Sequence, residues 1–131
     1  KPYLKIKMPI CDDLDQALII KHEVSKSHGN HRYCTKITNT SSAPIRIVRF
    51  AGFKKTGIFG SFYISTISND WFTNEHFQNW YNVNSGIIEP GCVAKDQDNF
   101  GFGNGYWVYE IQDIKGNNKY IKSRMPKQRF Q

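Results

Sequence analysis

Alternation of apolar and polar side chains over short stretches is the feature of this sequence that most limits its fold. Residues 106–114 show it best, because Trp107, Tyr109 and Ile111 recur at every second position. Residues 61–68 repeat the pattern. Successive side chains of a strand point to opposite faces, so a period of two indicates strands with one buried face. Aromatic residues make up 15% of the 131-residue chain, and flat rings pack well across strands.

Further strands are predicted where this pattern returns between turns. They cover the stretches 4–10, 32–38, 45–50 and 119–125, and the second and third of these are expected to pair as a hairpin. In the first, Ile6, Met8 and Ile10 share one face and Lys5 and Lys7 the other. The stretch 14–24 favours a strand, although a helix capped by Asp13 is the alternative. Glycine-containing polar loops are predicted over 25–31, 52–60 and 96–105.

These strands predict an all-β fold in a single domain spanning residues 1–131. The best match is an antiparallel two-layer β-sandwich, immunoglobulin-like or similar. Its core is expected to include the apolar members of the best strands: Ile45, Ile47, Phe62, Ile64, Trp107, Tyr109 and Ile111. One short helical insertion is predicted near residues 70–81, because Phe72, His76, Phe77 and Trp80 recur at steps of three and four.

The net charge of +7 is concentrated at the C-terminal end. Residues 1–113 carry 12 Lys and Arg against 11 Asp and Glu, whereas residues 115–131 carry six Lys and Arg and no acid. This basic C-terminal segment is predicted to contact an acidic partner through Lys119, Lys122, Arg124, Lys127 and Arg129. A protein or a glycan is the expected partner, with an anionic membrane surface as a further option. Nucleic acid is not expected, because such binders more often spread basic side chains over a folded face.

Aromatic side chains beside the predicted strands are the candidate ligand-binding residues. They are Trp71, Phe72, Trp80, Tyr81, Phe100 and Phe102. Rings on loops can stack on sugars or form a protein-binding hot spot. The alternative is that they pack the helical insertion onto the sheets.

The three cysteines do not form a metal-binding pattern or a disulfide-dense scaffold. If one disulfide forms, Cys11 and Cys34 are the expected partners, and three reduced thiols are the alternative. Asn39-Thr40-Ser41 fits an N-glycosylation sequon. The chain begins at Lys1 without an initiator Met, which suits a mature secreted chain or an excised fragment. A secreted or extracytoplasmic protein is therefore expected.

A resemblance to an enzyme family rests on two stretches. The run Phe62-Tyr-Ile-Ser-Thr-Ile-Ser68 and the later Tyr106-Trp-Val-Tyr-Glu110 resemble the central Ser-Thr-Ser strand and tyrosine-rich strand of cholera- and pertussis-type ADP-ribosyltransferases. The resemblance implies that Arg32 or Arg49 supplies that family's arginine. The chain departs from the family because its third residue of the Ser-Thr-Ser is Ile67 and no Glu-x-Glu occurs.

No complete catalytic set is found, so the sequence favours a non-catalytic binding module that recognises a protein, glycan or membrane surface. The alternative is a small toxin-type enzyme, either ADP-ribosyltransferase-like or a ribonuclease using His28 and His31 as acid and base. An enzyme would bring together two of His22, His28, His31, His76, Glu75, Glu89 and Glu110. No catalytic residue, metal ligand or cofactor is assigned, and the oligomeric state is left open.

Overall fold

The computed structural model of the chain describes residues 5–12, 18–27, 30–56, 60–66, 69–73, 80, 82–83, 85–99 and 105–125. These ranges contain eight strands and no helix, and therefore no helix that is long and apolar enough to cross a membrane. The strands are β1 (Leu18–Ser27), β2 (Asn30–Asn39), β3 (Ile45–Thr56), β4 (Ser61–Ile64), β5 (Ile87–Ile88), β6 (Val93–Asn99), β7 (Gly105–Gln112) and β8 (Asn118–Arg124).

The strands form two antiparallel sheets. One has three strands in the order β1-β2-β6, and the other has five, with β5 pairing β3 beside the path β4-β3-β7-β8. The all-β antiparallel prediction is confirmed at this level. The stretch 14–24, read as a strand or a helix, enters β1 from Leu18 onwards.

A hydrophobic cluster drawn from both sheets forms the first part of the core. We call it the inner cluster: Leu18, Ile37, Ile45, Ile47, Phe50, Trp80, Ile88, Ala94, Trp107, Tyr109, Ile111, Ile121 and Met125. It contains five of the predicted core residues. Burying one large apolar side chain contributes about 1.5–3 kcal/mol, so this cluster holds the two sheets together.

The opposite face of the five-stranded sheet buries a second cluster. We call it the outer cluster: Ala51, Phe53, Ile64, Trp71 and Val108, with Ile6, Met8, Cys11, Phe62, Tyr106 and Tyr120 partly buried against them. The remaining predicted core residues, Phe62 and Ile64, belong here. The sequence pattern had not separated the two faces, because alternation shows that a strand has two sides and not what covers each one.

The N-terminal segment, residues 5–12, covers the outer cluster. The backbone N–H of Met8 donates to the carbonyl of Phe62 in β4 at 3.0 Å, and that of Asp12 donates to the carbonyl of Tyr120 in β8 at 2.8 Å. The segment therefore joins the two outermost strands of the path. Its predicted alternation holds at Ile6 and Met8 but not at Ile10, which is 97% exposed.

The chain passes from one sheet to the other between β2 and β3, and the hairpin predicted for this pair is wrong. β2 pairs with β1 and β6, whereas β3 pairs with β4, β5 and β7. The buried Asn39 stabilises the crossing, because its Nδ2 donates to the carbonyls of Ala43 and Ile88, each at 2.9 Å. Its Oδ1 accepts hydrogen bonds from the backbone N–H and the hydroxyl of Ser41.

The helical insertion predicted near residues 70–81 is not seen in its described part. Phe72 is extended and exchanges backbone hydrogen bonds with Phe50 of β3 at 3.0 and 2.8 Å. β5 and β4 pair with the two ends of β3, so the middle of this strand is open on that side and Phe72 fills it. This tertiary pairing replaces helical bonding there. Residues 74–79 and 81 lie outside the described residues.

Three predicted loops are partly strand. The stretch 25–31 contributes to the β1–β2 ladder through pairs such as Ser25 with Arg32 and Ser27 with Asn30. The stretch 96–105 begins within β6, and the stretch 52–60 begins within β3. Pairing with a neighbouring strand satisfies the backbone N–H and C=O groups of polar residues as well as those of apolar ones. A prediction from polar composition alone therefore ended these strands before the residues at which they end in the structure.

The predicted Cys11–Cys34 disulfide is not formed, and all three cysteines are free thiols. Cys11 packs against the outer cluster, whereas Cys34 lies in β2 of the three-stranded sheet, opposite Glu23. The two cysteines thus belong to different layers of the molecule.

Candidate anion-binding site

Strand β8 carries a row of polar and basic side chains on the outer face of the five-stranded sheet. Tyr120, Lys122 and Arg124 share this face because they alternate along the strand, and Tyr120 packs against the outer cluster. Arg124 lies opposite Tyr106 of β7. Two residues along a strand span about 6.6 Å, so the bases of the two cationic side chains are close neighbours.

The charged groups of Lys122 and Arg124 both lie over the ring of Tyr106. Nζ of Lys122 lies 4.7 Å from the ring centroid, and Cζ of Arg124 lies 5.5 Å from it. Nη2 of Arg124 also donates to the hydroxyl of Tyr106 at 3.4 Å. A cation over an aromatic ring at an exposed site gains about 0.5–1 kcal/mol. Phe62 fixes the ring itself through an edge contact at 5.3 Å between centroids. The two positive charges are therefore ordered beside each other.

Three further lysines lie exposed on the N-terminal segment and on β3. Lys5 and Lys7 are exposed because their neighbours Ile6 and Met8 face the outer cluster. Lys55 is exposed at the end of β3, opposite Phe62. Lys7 pairs with Tyr63 of β4, which alternates with Phe62 and Ile64, so Lys7 faces away from the outer cluster. We call Lys55, Lys122 and Arg124, which share the outer face, the basic patch.

Lys122 also lies close to the N-terminal segment. Burial raises the pKa of the Cys11 thiol, the positive charge of Lys122 acts in the opposite direction, and Asp12 raises the pKa again. Such an effect requires the ammonium group to be near the thiol. The bridge between Asp12 and Ile121 gives the same placement, since Cys11 and Lys122 are the neighbours of these two residues.

Arg49 lies on the same face, but its charge is compensated. Its Nε donates to Oε1 of Glu110 at 2.6 Å and its Nη2 to the hydroxyl of Tyr120 at 2.8 Å, while its guanidinium stacks 4.3 Å from the centroid of Trp71. Burial alone would raise the pKa of Glu110. Hydrogen bonds from Asn118 and Arg49, together with the charge of Arg49, outweigh burial and lower that pKa. Because Arg49 also stacks on Trp71, this ion pair holds Trp71 and its neighbours, which we call the Trp71 segment, against the five-stranded sheet.

A β-bulge places Arg49 on the outer face. Ile47 pairs with Ile111 and Arg49 with Glu110, so Val48 is an extra residue in β3. Without it Arg49 would share the inner face with Ile47, two positions earlier. Alternation alone could not have located this ion pair.

A second polar constellation lies between the sheets. Nδ1 of His22 is 2.7 Å from Oγ1 of Thr35, and Nε2 is 2.9 Å from Oγ of Ser123. Burial lowers the pKa of His22 to about 4, so the ring is neutral near pH 7. A serine beside a histidine is also the arrangement of a nucleophile and its base. Here the depressed pKa makes His22 a weak base, and a threonine rather than a carboxylate orients the ring. We therefore assign this network to sheet packing.

The predicted ligand-binding aromatics that the structure describes all contact one of the two clusters, and whether they also bind a ligand stays a prediction. Trp71 and Trp80 are 9% and 7% exposed, and Phe72 packs against the inner cluster, where its ring lies 5.2 Å from that of Phe50. This matches the packing alternative raised from the sequence. Tyr81, Phe100 and Phe102 lie outside the described residues, and whether they bind a ligand stays a prediction.

The predicted partner-binding residues separate by strand face. Lys122 and Arg124 form the centre of the basic patch. Lys119 is on the other face of β8, which it shares with the buried Ile121. Lys127 and Arg129 lie outside the described residues.

Sequence reasoning missed Lys55, since it confined the basic surface to the C-terminal segment. The alternation of the N-terminal segment did predict Lys5 and Lys7 on a solvent-facing side. Nothing local to the sequence placed Lys55 on the same face as Lys122 and Arg124.

Candidate catalytic or metal-binding groups do not gather in the part of the chain that the structure describes. Glu110 pairs with Arg49, His22 lies between the sheets, and no group of three His, Cys, Asp or Glu side chains is arranged to hold a metal ion there. The side chains of His28, His31, Glu75 and His76 lie outside the described part.

No protein-family model matches the chain, and no curated protein matches it either.

Proposed function

We propose that this protein is a non-catalytic binding module that recognises an anionic partner through the basic patch. The observation that carries the proposal is the pair of cations, Lys122 and Arg124, ordered over the ring of Tyr106. Like charges held side by side repel each other, and an anionic group between them would relieve the repulsion. Among the described residues, the salt bridges instead join Lys36 to Glu23 and Arg49 to Glu110.

The proposal keeps the partner classes expected from the sequence, namely a protein, a glycan or a membrane surface. It moves the binding surface from the aromatic loops to the outer face of the five-stranded sheet. We also propose that the two sheets pack as a sandwich, since the inner cluster draws on both. An immunoglobulin-like strand arrangement and a secreted location remain parts of the proposal.

Edge protection is the competing explanation for these cations. Lysines on an outer strand discourage pairing with other chains, and β8 is the last strand of its path. Edge protection requires positive charge only. The proposal requires in addition that an anion binds better here than at other lysines of the same exposure.

A matched pair of double variants tests this difference. Binding of fluorescent dextran sulfate would be measured by anisotropy at 0.1 M salt for Lys122→Gln/Arg124→Gln and for Lys21→Gln/Lys95→Gln. Both variants lose two positive charges, but Lys21 and Lys95 lie in the three-stranded sheet. We expect about tenfold weaker binding for the first and less than about twofold for the second, because each of the two neutralised contacts removes about 0.7 kcal/mol. Equal losses would mean that the protein's net charge alone attracts the polymer and would overturn the proposal.

A further inference from the structure

Ile10 is the most exposed large apolar residue among those described. It is 97% exposed, although the alternation of the segment predicted it on the buried face with Ile6 and Met8. The register changes after Met8, since Cys11 packs against the outer cluster in its place. Burial of an isoleucine away from water is favourable, so its complete exposure leaves an apolar group available to a partner.

The backbone on both sides of Ile10 is anchored. Met8 is hydrogen-bonded to β4 and Asp12 to β8, at 3.0 and 2.8 Å. The thiol of Cys11 also donates to the carbonyl of Pro9 at 3.4 Å, which spans Ile10. The apolar side chain is therefore presented from a fixed segment that lies on the outer face.

The basic patch meets the C-terminal end of this segment, where Asp12 bridges Ile121, the neighbour of Lys122. Lys5 and Lys7 precede Ile10 in the same segment, and Lys122 lies near Cys11, the residue that follows it. We propose that this face docks on an anionic membrane surface, with Ile10 entering the interface and the patch contacting lipid headgroups; this rests on the function proposed above.

An anionic bilayer fits the combination of features better than a soluble polyanion. It offers negative headgroups and hydrocarbon within a few ångströms of each other, and it needs no complementary pocket around a single side chain. A soluble polyanion would use the cations and leave Ile10 in water. Basic side chains near an anionic surface are attracted to its headgroups, so the patch would provide most of the attraction and Ile10 would add an apolar contact.

The experiment measures co-sedimentation with phosphatidylcholine vesicles that either contain or lack phosphatidylserine, in parallel with dextran sulfate binding. The variants are Ile10→Ser, Lys122→Gln/Arg124→Gln and, as a matched control, Ile19→Ser. Ile19 is 46% exposed and lies in β1 of the three-stranded sheet. Circular dichroism of each variant checks that the surface substitutions leave the fold intact.

We expect the native chain to sediment with phosphatidylserine vesicles only. Ile10→Ser should weaken vesicle binding about fivefold to tenfold, which is a partial loss of one buried isoleucine, and leave dextran sulfate binding unchanged. The double variant should weaken both kinds of binding, and Ile19→Ser neither. If Ile10→Ser binds vesicles like the native chain, the membrane inference is overturned and the anion-binding function stands. If the native chain binds neither vesicles nor polymer, both proposals fail.

Discussion

The side chain of Asn39 is fully buried and has a hydrogen bond to each of its polar hydrogens and to its carbonyl oxygen. Its backbone is bonded as well, to Cys92 and Gly91 at the start of β6. One residue thus ties the β2–β3 crossing, β5 and the turn before β6 together. A buried amide with this many partners is expensive to remove, because each partner left unpaired costs about 1–3 kcal/mol.

Replacement of Asn39 should therefore be strongly destabilising. We expect Asn39→Ala to lower the free energy of unfolding by about 3–4 kcal/mol, measured by urea denaturation. Ser42→Ala, at an exposed position three residues further along, is the control and should change it by less than about 0.5 kcal/mol. Similar values for the two variants would show that the Asn39 network does not stabilise the crossing.

The same geometry bears on the sequon Asn39-Thr40-Ser41. Attachment of a glycan replaces a hydrogen of Nδ2, and both of these hydrogens are donated to backbone carbonyls. Folded protein secreted from a eukaryotic host should therefore have an intact mass without N-glycan, and enzymatic deglycosylation should not alter it. A folded, monodisperse glycoform carrying sugar at Asn39 would contradict the described crossing.

His22 should make stability depend on pH. Its folded pKa of about 4 lies below the ordinary value of 6.5, so the unfolded chain binds the proton more readily between these values. The stability that depends on the neutral ring is present in full above pH 6.5, and it is lost as the pH falls towards 4. The loss amounts to at most about 3 kcal/mol, from 1.36 kcal/mol for each pH unit.

Urea denaturation of the native chain and of His22→Gln at several values from pH 7 to pH 4 measures this contribution. The difference in unfolding free energy between the two chains should shrink as the pH falls, because only the native chain has this titrating ring. A difference that is constant with pH would show that His22 is not buried as a neutral ring.

At the scale of the elements, the bulge in β3 and the ion pair that it positions hold the Trp71 segment. Arg49→Met should lower the free energy of unfolding by about 2–3 kcal/mol, because Glu110 keeps a partly buried charge without its partner. Trp71 would also lose the stacked guanidinium, so we expect a change in tryptophan emission. Arg46→Met, on the same strand but exposed, is the control and should have little effect on either measurement.

At the scale of the whole molecule, the N-terminal segment should be part of the folded unit, because it covers the outer cluster and pairs with both β4 and β8. Met8→Asp would bury an unpaired carboxylate and should lower the free energy of unfolding by about 2–4 kcal/mol or expose the cluster to a hydrophobic dye. Lys7→Asp, the same substitution at the exposed neighbour, should be close to neutral. Equal stability of the two variants would show that the segment does not pack on the sheet.

The sequence by itself determined the strand content and much of the core. Alternation is a local property of the backbone, so residues such as Trp107, Tyr109 and Ile111 could be assigned to one face of a strand without knowing its neighbours. The turns between the strands and the basic character of β8 could also be predicted from the sequence.

Only the tertiary structure decided which face meets which partner. The bulge at Val48 places Arg49 on the outer face. The middle of β3 lacks a neighbouring strand on one side, so Phe72 pairs there and is not helical. The chain crosses between the sheets after Asn39, so β2 and β3 belong to different sheets. The same assembly placed Lys55 on the sheet face that carries Lys122 and Arg124, and it left Ile10 exposed. The physical reason is that these outcomes depend on contacts between residues far apart in the chain, whose geometry a local pattern of polarity does not encode.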